Sequence, residues 1–228
     1  MPSNQSPLIC LVAPGHLTAT PRLIKEAEAL TSAGYRVHTV SLDNFPLNRP
    51  LDNAILAKAT WSATRIPAAT GAYGIARRIL HRGTQRLPAS WLGALIPLAA
   101  RAKLAEAAHL NRVLKTIPAD YFLGHCLGSL SAVAAAARHR GVRFGFDLED
   151  FHEAETLEAE SNPRSLAATR NLLRRHLPAA EAAVFALAHM LKSKIQPVVA
   201  GWLGRLYGRA TRRNTASQLS GAVERHLP

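Results

Sequence analysis

Three short segments of this sequence gather residues able to do chemistry, and each follows an apolar run. The first is Ala13-Pro14-Gly15-His16-Leu17-Thr18. A segment of helical periodicity comes next, so the unpaired amides of a helix start would lie beside it, suited to an anion or to hydroxyl groups. It has neither the glycines of G-x-G-x-x-G nor a Walker pattern, which sets aside a dinucleotide or P-loop reading. The second segment is Gly124-His125-Cys126-Leu127-Gly128-Ser129, and it admits two chemistries. Read as G-x-C-x-G it is a nucleophile elbow with Cys126 as a thiol nucleophile. Asp147 or Asp150 and then His176 or His189 would complete a triad in the required chain order. In the other reading His125 does the work, since a neutral imidazole hydrogen-bonds hydroxyls and its charge is tunable near neutral pH. The bland alternative is that His125 merely caps the next helix.

The third segment runs Phe144-Gly145-Phe146-Asp147-Leu148-Glu149-Asp150-Phe151-His152-Glu153. Carboxylates this dense are costly unless they meet cations, a metal or solvent. One of them could accept hydrogen bonds from substrate hydroxyls or orient a histidine; a solvated acidic loop is the plain alternative. No second His/Asp cluster has ligand-like spacing, so no metal is expected.

These segments need elements to hold them. Leu8–Ala13 reads as a buried parallel strand. A helix should start near Thr20, with Pro21 at its first position and Leu23, Ala27 and Leu30 on one face, and stop at Gly34. Arg36–Leu42 is a second strand, and a short strand is expected at Ala54–Ala57. Ala72–Gln85 and Trp91–Thr116 read as helices, Tyr121–Leu123 as a strand, Leu127–His139 as a helix ended by Gly141, and Val142–Phe146 as a strand. A helix is expected from Pro163 to His176. The alternation predicts an α/β, Rossmann-like, open and mostly parallel sheet with helices on both faces. Ligands of such sheets lie beyond the carboxyl ends of the strands, where all three segments fall.

Hydrophobic residues make up 48% of the 228 and charged residues 19%, so most of the chain should fold. The formal net charge is +13, which favours anionic partners. It is unevenly spread: between Lys58 and Lys115 the only acidic residue is Glu106, whereas Asp147 to Glu160 is strongly acidic. Cys10 and Cys126 make no disulfide framework, and the chain shows no secretory leader and no apolar run that would span a bilayer. A reduced, cytoplasmic setting is expected, peripheral at the inner membrane face if the basic span docks there.

In order and spacing the three segments resemble the N-terminal domain of family-4-like glycosyltransferases of the GT-B fold, from about Leu8 to Ala180. The resemblance is carried by Pro21-Arg22-Leu23-Ile24-Lys25-Glu26-Ala27 with Leu30, by Gly34-Tyr35-Arg36-Val37, by Ala119-Asp120, and by Phe146-Asp147-Leu148-Glu149-Asp150-Phe151-His152. It implies a single half of a GT-B fold and hexosyl transfer from a nucleotide-sugar to an unknown acceptor, with no further cofactor and no obligatory metal. By match to the motif, Gly15 and His16 would lie near the donor phosphates and His125 near the transferred sugar as the catalytic residue. Asp147, Glu149 and Asp150 would shape the acceptor side of the cleft.

The sequence departs from the family after Glu181. Neither the expected next strand nor a donor-binding second domain can be read there, and Ala183–Pro228 is rich in Arg, Ala and Gly. The expectation is a domain over residues 1–182 and a basic extension over 183–228, helical or disordered. The chain would be truncated, inactive alone, and dependent on a C-terminal partner for donor and acceptor turnover. Two other classes stay open: a non-catalytic basic module binding an anionic membrane surface through Arg77–Lys115 or a partner chain, and a Cys-dependent α/β hydrolase. Nucleic acid is not expected, because no aromatic stacking pattern accompanies the arginines.

Overall fold

Ile9, Leu11 and Ala13 point to one side of the first strand, β1 (Leu8–Val12), and its continuation, while Cys10 and Val12 point to the other. Both sets are buried, so β1 needs cover on both faces, which is the condition for a parallel strand at the centre of a sheet. A computed structural model describes residues 6–148 and 162–185. Helix α1 (Pro21–Ser32) and β2 (Arg36–Asp43) follow β1, then α2 (Arg49–Leu56) and β3 (Ser62–Pro67). Helices α3 (Gly71–Gln85), α4 (Ala89–Ala94), α5 (Ile96–Lys103) and α6 (Ala107–Thr116) lead to β4 (Tyr121–His125). The chain continues through α7 (Cys126–Arg140), β5 (Arg143–Leu148), α8 (Pro163–His176) and β6 (Ala182–Phe185).

The six strands lie in the order β3-β2-β1-β4-β5-β6, and every pair is parallel. This is the doubly wound, Rossmann-like arrangement. Leu11, Leu17, Leu23, Ala27 and Val37 form the smaller core under α1. The larger core lies on the opposite face and joins Val12, Val40 and Phe122 to Leu110, Leu130, Val133 and Leu172 of α6, α7 and α8. At the amino edge the Leu8 amide donates to Asp120 Oδ2 at 2.8 Å, and the Asp120 amide donates to the Leu8 carbonyl at 2.8 Å. That pair sets the register of β1 against β4.

Three elements differ from the sequence expectation. Ala54–Ala57 is not a strand; most of it is the end of α2, whose first turn carries Pro50 and a buried Asp52. The strand comes later, at β3. The helix expected over Trp91–Thr116 is three helices, because Pro97 near the start of α5 and the extended conformations of Leu95 and Leu104 interrupt it. A sixth strand, β6, continues the sheet where the sequence shows no strand signal. Its four residues, Ala-Ala-Val-Phe, are too few for a periodicity to register.

His176, the last residue of α8, is buried, and its Nε2 has no hydrogen-bond partner. Burial, helped by Arg138 of α7 and Arg175 of α8, pulls its pKa from the ordinary 6.5 to about 4. Between those values the unfolded chain binds a proton that the folded one refuses, so stability falls as pH drops through this window and then levels off. The expected loss is on the order of 2–3 kcal/mol. Urea midpoints measured from pH 7 to 4 should show it, and His176→Leu should flatten that part of the curve.

Candidate functional site

The connections from β1 and β4 leave in opposite directions, one toward β2 and the other toward β5. The carboxyl ends of β1 and β4 are therefore the topological switch point of the sheet, the place beside which ligands of doubly wound sheets bind. Val12 is in register with Gly124, and His125 with Asp147. Gly15, His16, His125 and Asp147 thus come to one edge of the sheet, as the sequence reading expects. Glu149 and Asp150 lie outside the described residues.

The turn after β4 is tight. Cys126 opens α7 with φ 56°, and it is the one non-glycine residue of positive φ among the described residues. Such a residue carries strain on the order of 1 kcal/mol and is held by its surroundings. Gly124 and Gly128 allow the packing: a Cβ on Gly124 would lie 2.8 Å from Ser129 Oγ and 3.1 Å from Val133 Cγ2, and one on Gly128 would lie 3.0 Å from Pro14 Cβ. The first and second loops therefore press against each other. The strand–turn–helix form of a nucleophile elbow is present; of the described residues named for its triad, Asp147 is held by a guanidinium and His176 ends α8. His176 stands beside Arg138 and Arg175, and Asp147 beside Arg22 and His125. Asp150 and His189 lie outside the described residues.

His125 and Asp147 are fully buried. Arg22 Nη1 donates to both oxygens of Asp147, at 2.9 and 3.1 Å. The second Asp147 oxygen lies 3.5 Å from His125 Nδ1, and Glu26 Oε2 lies 3.0 Å from His125 Nε2. Arg22 and Glu26 are four residues apart on α1, so one helix face lays a cation and an anion over the ends of β5 and β4. Within this cluster the buried Asp147 carboxylate is met by the Arg22 guanidinium, which is the condition for keeping its charge away from water. Arg22 is 37% exposed and Glu26 25%, so these two side chains form the accessible edge of the cluster.

Glu26, His125 and Asp147 offer three ligand atoms within 4.8 Å of one another, a grouping that could hold a metal ion. The sequence expects none. The two carboxylates flank opposite ring nitrogens, and a guanidinium already stands at Asp147. Arg22 and Glu26 have no role in the sequence reading beyond carrying the resemblance. The signal that could have singled them out is an opposite-charge i, i+4 pair in the first two turns of a helix that starts at the carboxyl edge.

His16 has a different setting. Its ring is buried; Nε2 accepts the Phe45 amide at 2.9 Å, so the proton sits on Nδ1 and is donated to Asp52 Oδ2 at 2.7 Å. The other Asp52 oxygen accepts the Thr18 amide at 3.0 Å. Both ring nitrogens are thus spent on tying the first loop to α2 and to the segment after β2. What remains for a ligand in this loop is backbone, beside the open space over Gly15. Burial tends to raise the Asp52 pKa, but bonds from the Thr18 amide and the His16 ring outweigh it and hold the carboxyl below its ordinary value.

No family model matches the sequence, and no curated protein matches it. Solved structures do. UGT89C1 of Arabidopsis thaliana complexed with UDP aligns at 14% identity with a TM-score of 0.46, over 79% of this chain and 42% of that one. LpCGTa in complex with UDP aligns at 13% identity and a TM-score of 0.49, over 79% and 45%. The glycosyltransferase SnogD from Streptomyces nogalater aligns at 14% and 0.43, over 79% and 44%. This chain spans less than half the length of each, and its fold stands on the strand order and register described above.

Removing Arg22 would leave Asp147 buried with less compensation. Arg22→Met should destabilise the fold by on the order of 2 kcal/mol, less than a fully enclosed pair because the guanidinium is partly exposed. Adding Asp147→Asn should recover part of the loss, and a double-mutant cycle by urea denaturation reads both. Asp52→Ala should cost about 2 kcal/mol at neutral pH. A depressed carboxyl stabilises above its unfolded value and loses that contribution as pH falls through its folded value. The gap between wild type and Asp52→Ala should therefore narrow in acid.

Proposed function

We propose that this domain is the acceptor-side half of a sugar-transferring enzyme of the GT-B kind, which moves a hexose from a nucleotide-sugar to an acceptor hydroxyl. The observation that carries the reading is the cluster of Arg22, Glu26, His125 and Asp147 beside the switch point between β1 and β4. The sequence resemblance supports it independently. In this reading His125 is a positioning residue, because its imidazole is enclosed: it orients Glu26 on one side and Asp147 on the other. Glu26 is the carboxylate that meets the acceptor hydroxyl. The backbone at Gly15 and the start of α1 would meet the donor phosphates.

A diphosphate leaving group needs several fixed donors or cations in a site closed to water. Among the cations of this edge, Arg22 is already shared with Asp147 and Arg49 with Asp43. A second Rossmann-like domain facing this edge would supply the remainder, and we propose that turnover requires one. Glu149 and Asp150 would extend the acceptor side.

The test is transfer and donor hydrolysis by the full chain across UDP-, GDP- and dTDP-sugars, with and without a separately produced donor-binding domain. Glu26→Gln and His125→Ala should each lower transfer by about 100-fold or more, with the melting temperature of Glu26→Gln close to that of the wild type. Binding or turnover of no donor under either condition ends the reading, as does full activity in both variants.

A further inference from the structure

Helix α3 sits on the fold inside out. Ala72, Ile75, Ala76 and Ile79 recur at i, i+3, i+4 and i+7, the spacing that normally faces a core. Here that stripe faces solvent: Ile79 is 66% exposed, Ile75 51%, and the flanking Leu80 and Tyr73 51% and 63%. The side turned inward is polar. Arg77 donates to the Ala105 carbonyl at 3.0 Å, His81 Nδ1 to the Arg101 carbonyl at 2.6 Å, and Gln85 to the Ala102 carbonyl at 3.2 Å. Arg101 and Ala102 end α5 and Ala105 follows it, so α3 caps carbonyls that have no partner within α5. Gly74 lets the segment just before the helix lie close against its first turn, since a Cβ there would fall 2.1 Å from the Ala69 carbonyl oxygen. The apolar stripe is thus held outward by specific bonds.

The stripe has a charged border. Arg78, Arg82 and Arg86 are exposed and run along one side of it, and no acidic residue lies anywhere on α3. Trp91, also exposed, follows on α4 after a short connection. The one acid between Lys58 and Lys115, Glu106, lies 3.8 Å from Arg77 on the inward side. An apolar stripe with an arginine border and an adjacent tryptophan is the composition of a helix that lies in the plane of a lipid interface.

From this we infer that α3 docks the protein on an anionic bilayer surface, with Ile75 and Ile79 entering the headgroup boundary and Arg78, Arg82 and Arg86 meeting lipid phosphates. This inference stands apart from the sugar-transfer reading. Charge selects the occupant. Two copies paired antiparallel through this stripe would bring their arginine borders together, and a nucleic acid would meet isoleucines where its phosphates need cations.

The experiment is cosedimentation of the full chain with phosphatidylcholine vesicles containing roughly one third phosphatidylglycerol, and with phosphatidylcholine alone. Binding is expected to the mixed vesicles and to be much weaker without the anionic lipid. Ile75→Asp with Ile79→Asp should weaken it by about tenfold or more, and Arg78→Ser with Arg82→Ser and Arg86→Ser should remove the preference for anionic lipid. All five positions are exposed, so melting curves should stay close to the wild type. Absence of binding by the wild type overturns the inference. So does binding that the isoleucine pair leaves unchanged, because arginines elsewhere would then account for it. A mass doubling in solution that the isoleucine pair abolishes, without vesicle binding, assigns the stripe to self-association and equally overturns it.

Discussion

The carboxyl edge of the sheet is organised around one electrostatic constraint: Asp147 is buried without exposure and needs a cation. Arg22 meets that need from the first turn of α1, reaching both oxygens. Because Arg22 is bound this way, α1 lies over the ends of β4 and β5, and Glu26, one turn on, arrives beside His125. The imidazole then stands between two carboxylates, one per ring nitrogen. A single buried charge thus anchors the first turn of a helix whose apolar face packs on β1 and β2, and a second carboxylate arrives at the same edge. The arrangement is costly in desolvation and gains its worth from geometry.

The same edge is tightened by backbone. The positive φ at Cys126 and the close approaches at Gly124 and Gly128 bring the turn after β4 against Pro14. His16 closes the other side by tying its loop to Phe45 and Asp52. Two histidines therefore serve opposite ends of this edge in different ways. His16 is a fastener whose nitrogens are both occupied by the fold, and His125 orders carboxylates of which one remains partly accessible. Loop position alone could not separate these roles, because both follow strands and both precede helices.

Helix α3 illustrates a limit of periodicity. Its apolar positions have the spacing of a core-facing helix, but the free carbonyls at the end of α5 recruit Arg77, His81 and Gln85, and three hydrogen bonds decide which side turns inward. Hydrophobic spacing states that a helix has two faces; it does not state what lies beneath either.

The alternation of apolar runs and helical segments was enough to determine the class of fold, the parallel sheet and the edge where chemistry would gather. Burial on both sides of a strand and capping at helix ends leave local marks in composition, such as Leu8–Ala13, Pro21, Gly34 and Gly141. Tertiary structure alone decided that Arg22 and Glu26 belong with His125 and Asp147, that His16 is spent on Asp52, and that α3 presents isoleucines outward. Each of these depends on groups at least 17 residues apart in the chain meeting within about 3 Å, and no local pattern encodes which distant carbonyl or carboxylate a side chain will find. The division follows from range: periodicity and capping act within a few turns of chain, whereas compensation of buried charge is settled only when the sheet brings its strand ends together.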